Sequence, residues 1–200
     1  MAQTFAPKRL EKEAINTVYS HVGNPMITTR SYMLIEPISL LVDFAWLRQG
    51  IVRPLPIEDE AYGIILHDSG IVPSNTMVAI VNPETNTVCP SNTVGEIWVS
   101  SDCNIKGIYG QTENERQAKF EAILNGGDPR IKYMRTGDLG FLWNVQRRVD
   151  RGQPVIEEGQ CLFVLGAKDE TIERNGLIHF PYDVELTVER CHPGIVPGGW

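Results

Sequence analysis

The chain has 200 residues, 42% of them hydrophobic and 22% charged, with a formal net charge of -7. That is enough apolar material for a real core, and too acidic a balance for a surface that binds the nucleic-acid backbone, since such surfaces need clustered Lys and Arg. Four cysteines (Cys89, Cys103, Cys161, Cys191) and four histidines lie scattered, without the short spacings of a zinc site.

The opening stretch, MAQTFAPKRLEKE, lacks the apolar core of a secretory leader. Residues 9–20 read as a short helix ahead of a Gly-Asn-Pro turn. SYMLIEP reads as a strand closed by Pro37, and residues 38–52 fit a helix or a buried strand equally well. The apolar run from Ser31 to Leu47 is broken by Glu36, Pro37 and Asp43, so no transmembrane segment is expected. YGIILHDSG, MVAIVNPETN and GEIWVSS each read as a strand leading into a turn, from their Val, Ile and Trp content. Residues 112–127 give the clearest helix signal: Thr112 as N-cap, Glu115 as its capping-box partner, and Gly126 and Gly127 as the stop. Ala118, Phe120, Ile123 and Leu124 gather its apolar mass on one side.

YMRTGDLGFLW then sets a Thr-Gly-Asp triplet between two apolar runs, read as a turn between two strands. Residues 144–160 read as a polar loop, including a short basic stretch, QRRVDRG, interrupted by Asp150. CLFVLG is a further strand. DETIERNGLIHF is a hairpin turning at Asn175-Gly176, and Pro181 opens a helix over YDVELTVERCH. Short strands with frequent turns suggest a barrel-like or sandwich-like unit.

Singly these features are weak, but their order resembles one family. GEIWVSS, the turn KGIYGQTE, YMRTGDLGFL, VLGAKDE and RNGLIHFPYDVE follow one another as in the later part of the AMP-dependent synthetase and ligase superfamily, the adenylate-forming enzymes. The match covers roughly residues 69–189. LFVLGAKDETIERNGLIHFPYDVE is closest to the fatty acyl-AMP ligase-like domains of the disco-interacting protein family, where Gly-Ala also replaces the superfamily's Gly-Arg. A fungal member is expected.

The resemblance implies an α+β, β-rich fold: the distorted β-barrel end of the large AMP-binding subdomain over residues 1–168, then a hinge and the truncated start of the small C-terminal lid over residues 169–200. It implies a parent enzyme that joins a fatty acid to ATP as an acyl-adenylate, with Mg2+, and passes the acyl group to a thiol such as CoA or a carrier protein. That role lies in lipid metabolism, in the cytoplasm, with peripheral association with organelle membranes open. It assigns Asp138, with Gly137 and Thr136 beside it, to the ribose hydroxyls. Asp169 and Lys168 fall at the hinge, and Gly176 near the thiol path. His179 matches the pattern but receives no chemical role.

Two features limit the assignment. Where the superfamily has a second ribose contact from Arg, this chain has Ala167, with Lys168 following; a Lys lacks the planar guanidinium fork. The family's phosphate loop and its Tyr-Gly-x-[Thr/Ser/Ala]-Glu segment are expected upstream of residue 1, and its catalytic lid lysine beyond Trp200. The chain by itself is therefore expected to be inactive, and its residues past 169 to pack on little. An alternative is a degenerate fold of this kind that binds lipid or protein without catalysis. An unrelated β-barrel is the third reading.

Overall fold

The computed structural model of the protein describes residues 6–8, 16–30, 38–150 and 154–196. In chain order these form strands β1 (Val18–His21), β2 (Asn24–Thr29) and β3 (Ser39–Asp43), the single-turn helix α1 (Phe44–Leu47), and strands β4 (Gly63–His67), β5 (Met77–Asn82), β6 (Thr87–Val88) and β7 (Gly95–Ser100). Helix α2 (Glu113–Phe120) follows, then the long strands β8 (Met134–Asp150) and β9 (Pro154–Ala167), the hairpin β10 (Ile172–Arg174) and β11 (Leu177–His179), and helix α3 (Pro181–Cys191). The architecture is α+β and strand-rich. Its centre is a five-stranded antiparallel sheet in the order β6-β5-β7-β8-β9, which does not close into a barrel among the described residues.

The sheet is apolar on both faces, and the alternation of β8 and β9 divides the core. Leu139, Phe141, Phe163 and Leu165 point to one side, against Val42, Leu47, Ile64 and Phe180. Ile97, Val99 and Leu162 point to the other, against Tyr19, Ile27 and Phe120. Phe141 and Phe163 are register partners whose rings stack at 4.8 Å, a cross-strand pair that ties β8 to β9. The β1–β2 hairpin joins this sheet at its β9 edge through Ile71, which bridges Thr29 on one side and Cys161 on the other. Asp68 secures the same corner, accepting from the backbone of Ile38 and Gly70 and pairing with the buried Arg30.

Several sequence expectations change. Residues 31–37 and 9–15 lie outside the described residues, but Val18 to Ser20, expected as helix, are strand, as their β-branched and aromatic content allows. The ambiguous stretch after Ile38 is both: strand to Asp43, whose carboxylate then accepts from Ala45 N and Trp46 N to cap α1. Helix α2 has the expected capping box, but it ends at Phe120, well short of Gly126. Ala122 leaves it to form a bridge with Tyr133, and Leu124 is buried beside Trp98 and Tyr133, so pairing and burial override helix propensity. Residues 144–150 and 154–160 are no loop: in them β8 and β9 continue as a two-stranded ribbon as far as the Asp150–Pro154 pair. Its polar composition follows from standing beyond the edge of β7, which leaves β8 after Gly140. Cross-strand hydrogen bonds from Gln160 to Asn144 and from Gln146 to Glu158, both 3.1 Å, fix its register.

The C-terminal stretch also packs better than expected. Asn175 (φ 54) and Gly176 (φ 73) form the hairpin turn as predicted, with both residues left-handed. Pro181 opens α3. Phe180, 2% exposed, is buried in the cluster around Leu47 and Ile64. Asp183, 3% exposed, takes a two-pronged ion pair from Arg48: Nε and Nη2 each donate over 3.0 Å. Ile178 N donates to the Arg48 carbonyl at 2.7 Å. The residue that closes α1 therefore holds both the hairpin and the helix.

Removing that guanidinium leaves the buried Asp183 carboxylate with only the His179 ring nearby, its Nδ1 3.9 Å from Oδ2, at a cost of about 2 kcal/mol. Arg48→Ala is expected to abolish amide-exchange protection across α3 while β8 and β9 keep theirs; unchanged protection of α3 would show that Phe180 alone holds it. The cysteines give a second test. Cys103 and Cys191 are exposed, whereas Cys161 is buried and burial pushes its thiol up to about 12. A thiol reagent is expected to modify Cys103 and Cys191 within the native lifetime and Cys161 only on unfolding.

Candidate functional site at the Thr136–Asp138 bulge

The Thr-Gly-Asp triplet is not a turn between two strands but a bulge within one. Glu96 pairs with Leu139 and Trp98 with Arg135, so Thr136, Gly137 and Asp138 together face the single residue Ile97. Gly137 makes this possible with φ 82, a left-handed backbone that a residue with a side chain would adopt under strain. The surplus chain is tied down by Thr136, whose hydroxyl donates to the Ile97 carbonyl at 2.8 Å and accepts from Asp138 N at 3.0 Å. Thr136 is buried, while Gly137 and Asp138 are half-buried. The bulge thus lifts one carboxylate out of the sheet on a backbone fixed at both ends.

Asp138 Oδ2 accepts a hydrogen bond from the Tyr19 hydroxyl. Tyr19 is 8% exposed, its ring packed with Ile27, Ile97 and Phe120. Burial first, then the bond to Asp138 and that residue's charge, push its phenol above the usual range, so it stays a protonated donor. His21, two residues on along β1, is held below the usual imidazole value chiefly by burial, against an opposing pull from Asp138, so it is neutral near pH 7. Its Nδ1 accepts from Gly23 N at 3.0 Å.

Beside the bulge lies an open cleft of about 680 Å3, lined among others by Thr136, Gly137, Arg135, Glu96, Lys119 and Tyr109. Arg135 and the buried Glu96 neutralise one another at 2.7 Å, and the guanidinium carbon sits 5.2 Å over the Trp98 ring. The cleft is of small-ligand size, and the Arg135–Glu96 wall carries no net charge.

The sequence-designated residues separate into groups. Thr136, Gly137 and Asp138 form the bulge. Ala167 is the β9 register partner of Asp138, so the position where the superfamily carries Arg stands directly across from the carboxylate and offers only a methyl group. Lys168 and Asp169 follow at once, exposed, in a 3-10 turn over Lys168–Glu170 that ends β9. Gly176 sits at the exposed tip of the separate β10–β11 sheet. Sequence reading missed Tyr19 and His21. Tyr19 stands 119 positions before Asp138, in a stretch read as helix, and no spacing rule links them. Among the described residues no group of three or more His, Cys, Asp or Glu side chains could hold a metal. Among the described residues no helix is long and apolar enough to cross a membrane.

The family model for the AMP domain of disco-interacting protein 2-like proteins matches residues 169–200. An uncharacterized protein of Schizosaccharomyces pombe is 43% identical over 98% of this chain, which spans 13% of that protein. Human disco-interacting protein 2 homolog B is 33% identical over 97% of this chain, which spans 12% of it. Among solved structures, a chain from a study of fatty acyl-adenylate ligases of E. coli and L. pneumophila superposes with a TM-score of 0.71 at 20% identity, over 98% of this chain and 31% of its own length. The ordered motifs, the strand-rich fold and these likenesses agree: the chain belongs to the adenylate-forming superfamily, as a segment of a fatty acyl-AMP ligase-like domain of the disco-interacting protein 2 type.

Proposed function

We propose that the longer protein containing this chain condenses a fatty acid with ATP to give an acyl-adenylate and pyrophosphate, and passes the acyl group to a thiol, either CoA or a carrier protein. Asp138 is the residue on which this reading rests. A carboxylate on a pinned bulge whose neighbours Thr136 and Gly137 line a cleft, though Asp138 itself does not, can accept hydrogen bonds from both hydroxyls of a ribose. The substrate carboxylate attacks the α-phosphate in line, so catalysis is largely positioning, and fixing the ribose aims that phosphate. Residues 1–168 are then the end of the large subdomain, and Lys168 and Asp169 the hinge into the lid. An exposed turn directly after a long strand suits a hinge, because its torsions change without unpacking a core. Gly176, with nothing within 4 Å of the side of its Cα where a Cβ would stand, leaves room for a pantetheine arm at the hairpin tip. Mg2+ would arrive on the nucleotide phosphates.

One observation favours a second reading, that of a non-catalytic lipid- or protein-binding module. Ala167 faces Asp138 across the β8–β9 ladder and cannot donate a hydrogen bond, so a contact that the superfamily draws from Arg is missing at the site itself.

ATP–pyrophosphate exchange by the full-length protein, with fatty acids of graded length, separates the two. Exchange is expected with at least one chain length, and Asp138→Ala is expected to lower kcat/KM by about a hundredfold, the loss of two charge-assisted hydrogen bonds. No exchange at any length gives the case to the binding module.

A further inference from the structure

We infer that Tyr19 is a positioning residue for the nucleotide site: its hydroxyl holds Oδ2 of Asp138 and so fixes the rotamer in which the carboxylate meets the ribose. This rests on the reading of Asp138 as the ribose acceptor and adds a residue to it.

Asp138 stands on a bulge with little beside it to fix its side chain. Its backbone is pinned by Thr136, but its side chain rises from a bulge whose neighbour, Gly137, has open space where a Cβ would stand. Across the ladder Ala167 contributes no donor. Among the described residues, the Tyr19 hydroxyl is the side-chain donor that reaches this carboxylate. With no second anchor at position 167, an unheld carboxylate would sample several rotamers, and each bond to a ribose hydroxyl would then carry the cost of ordering it. One phenol on Oδ2 removes that freedom. It leaves capacity to spare, since an ionised carboxylate has about four acceptor directions and a cis-diol takes two.

The same contact could be imagined as a plug that the nucleotide must displace, but the packing of Tyr19 argues against this. Its ring lies in the cluster of Ile27, Ile97 and Phe120, on a strand paired to β2 through Tyr19 and Thr28. Swinging the phenol away would open a void in that cluster and break the hairpin register, so the hydroxyl is a fixed part of the wall and no gate. Nor does His21 take over the task. Its Nδ1 is engaged by Gly23 N, and the ring is neutral near pH 7, so it gives Asp138 no full positive charge.

The test uses the full-length protein and two probes: non-hydrolysable acyl-sulfamoyl adenosines over a range of acyl lengths, and their 2′,3′-dideoxy counterparts, with dissociation constants from calorimetry. Wild type is expected to bind the ribose form at least tenfold more tightly. Tyr19→Phe, which keeps the ring and deletes only the donor, is expected to weaken the ribose form about tenfold and leave the dideoxy form unchanged. It should also add nothing further in an Asp138→Ala background. A merely structural lesion would weaken both probes alike, and a displaced plug would tighten the ribose form; either result, or no change in Tyr19→Phe, overturns the inference while leaving Asp138 in place. Loss of ribose discrimination in Asp138→Ala alone, with Tyr19→Phe like wild type, has the same meaning. Wild type that binds neither probe, or both equally, overturns this inference together with the ribose reading beneath it.

Discussion

The left-handed backbone at Gly137 is the constraint on which the site depends. It lets three residues of β8 face the single residue Ile97 without ending the strand, so one continuous β8 serves both β7 and β9. A side chain at position 137 would find space but not a comfortable torsion, so the constraint is conformational and not steric. Everything nearby accommodates the surplus residues: Thr136 turns inward to bond Ile97, Asp138 turns outward, and Leu139 resumes the buried face. On the β9 side the register shifts once more between Leu139 and Gly140, which sets Ala167 opposite Asp138. A regular ladder would have no residues to spare for such a carboxylate, because alternation would send every second side chain into one of the two cores.

Local signals in the sequence carried as far as their physics is local. The capping box at Thr112 and Glu115, the Asn175-Gly176 turn and Pro181 at the start of α3 are each decided within a few residues, and each stands where expected. The ends of elements depend on distant chain. The helix at Thr112 stops at Phe120 because Ala122 finds Tyr133. The ribbon that ends at the Asp150–Pro154 pair reads as a loop because its sequence is rich in Gln, Arg and Glu without regular alternation, and a loop shows the same. Asp138 was singled out by the order of the motifs around it. Tyr19 was not, because its partnership is created by folding a hairpin back across the sheet, and nothing in the spacing of 119 residues encodes it.

The replacement of Arg by Ala at position 167 can be weighed against what surrounds it. An Arg there would stand opposite Asp138 and compete with any ligand for the carboxylate, as Arg48 occupies Asp183 and Arg135 occupies Glu96. Under the nucleotide-site proposal, Ala167 gives up a contact to the ribose and also removes that competitor. Asp138 is therefore held by a neutral donor, and its charge is not cancelled by an adjacent cation on β9. The net effect on nucleotide affinity is the difference between a lost direct bond and a more available acceptor, so the substitution alone does not imply a dead site.

The site and the C-terminal stretch are mechanically joined at the same place. β9 ends at Ala167 beside Asp138, and the chain leaves it through the exposed turn of Lys168–Glu170. Past that turn, what holds the stretch is Arg48 with Phe180. These contacts differ in kind. Phe180 contributes non-directional burial that tolerates sliding, whereas the two-pronged Arg48–Asp183 pair and the Ile178–Arg48 backbone bond fix one orientation. A rotation about residues 168–170 would have to break the directional pair first, and Arg48, about a quarter exposed, could then turn to water while Asp183 left its pocket with the helix. A bond that is specific in geometry yet partly solvated on one side would, if residues 168–170 are the proposed hinge, define one position of the stretch without locking it there.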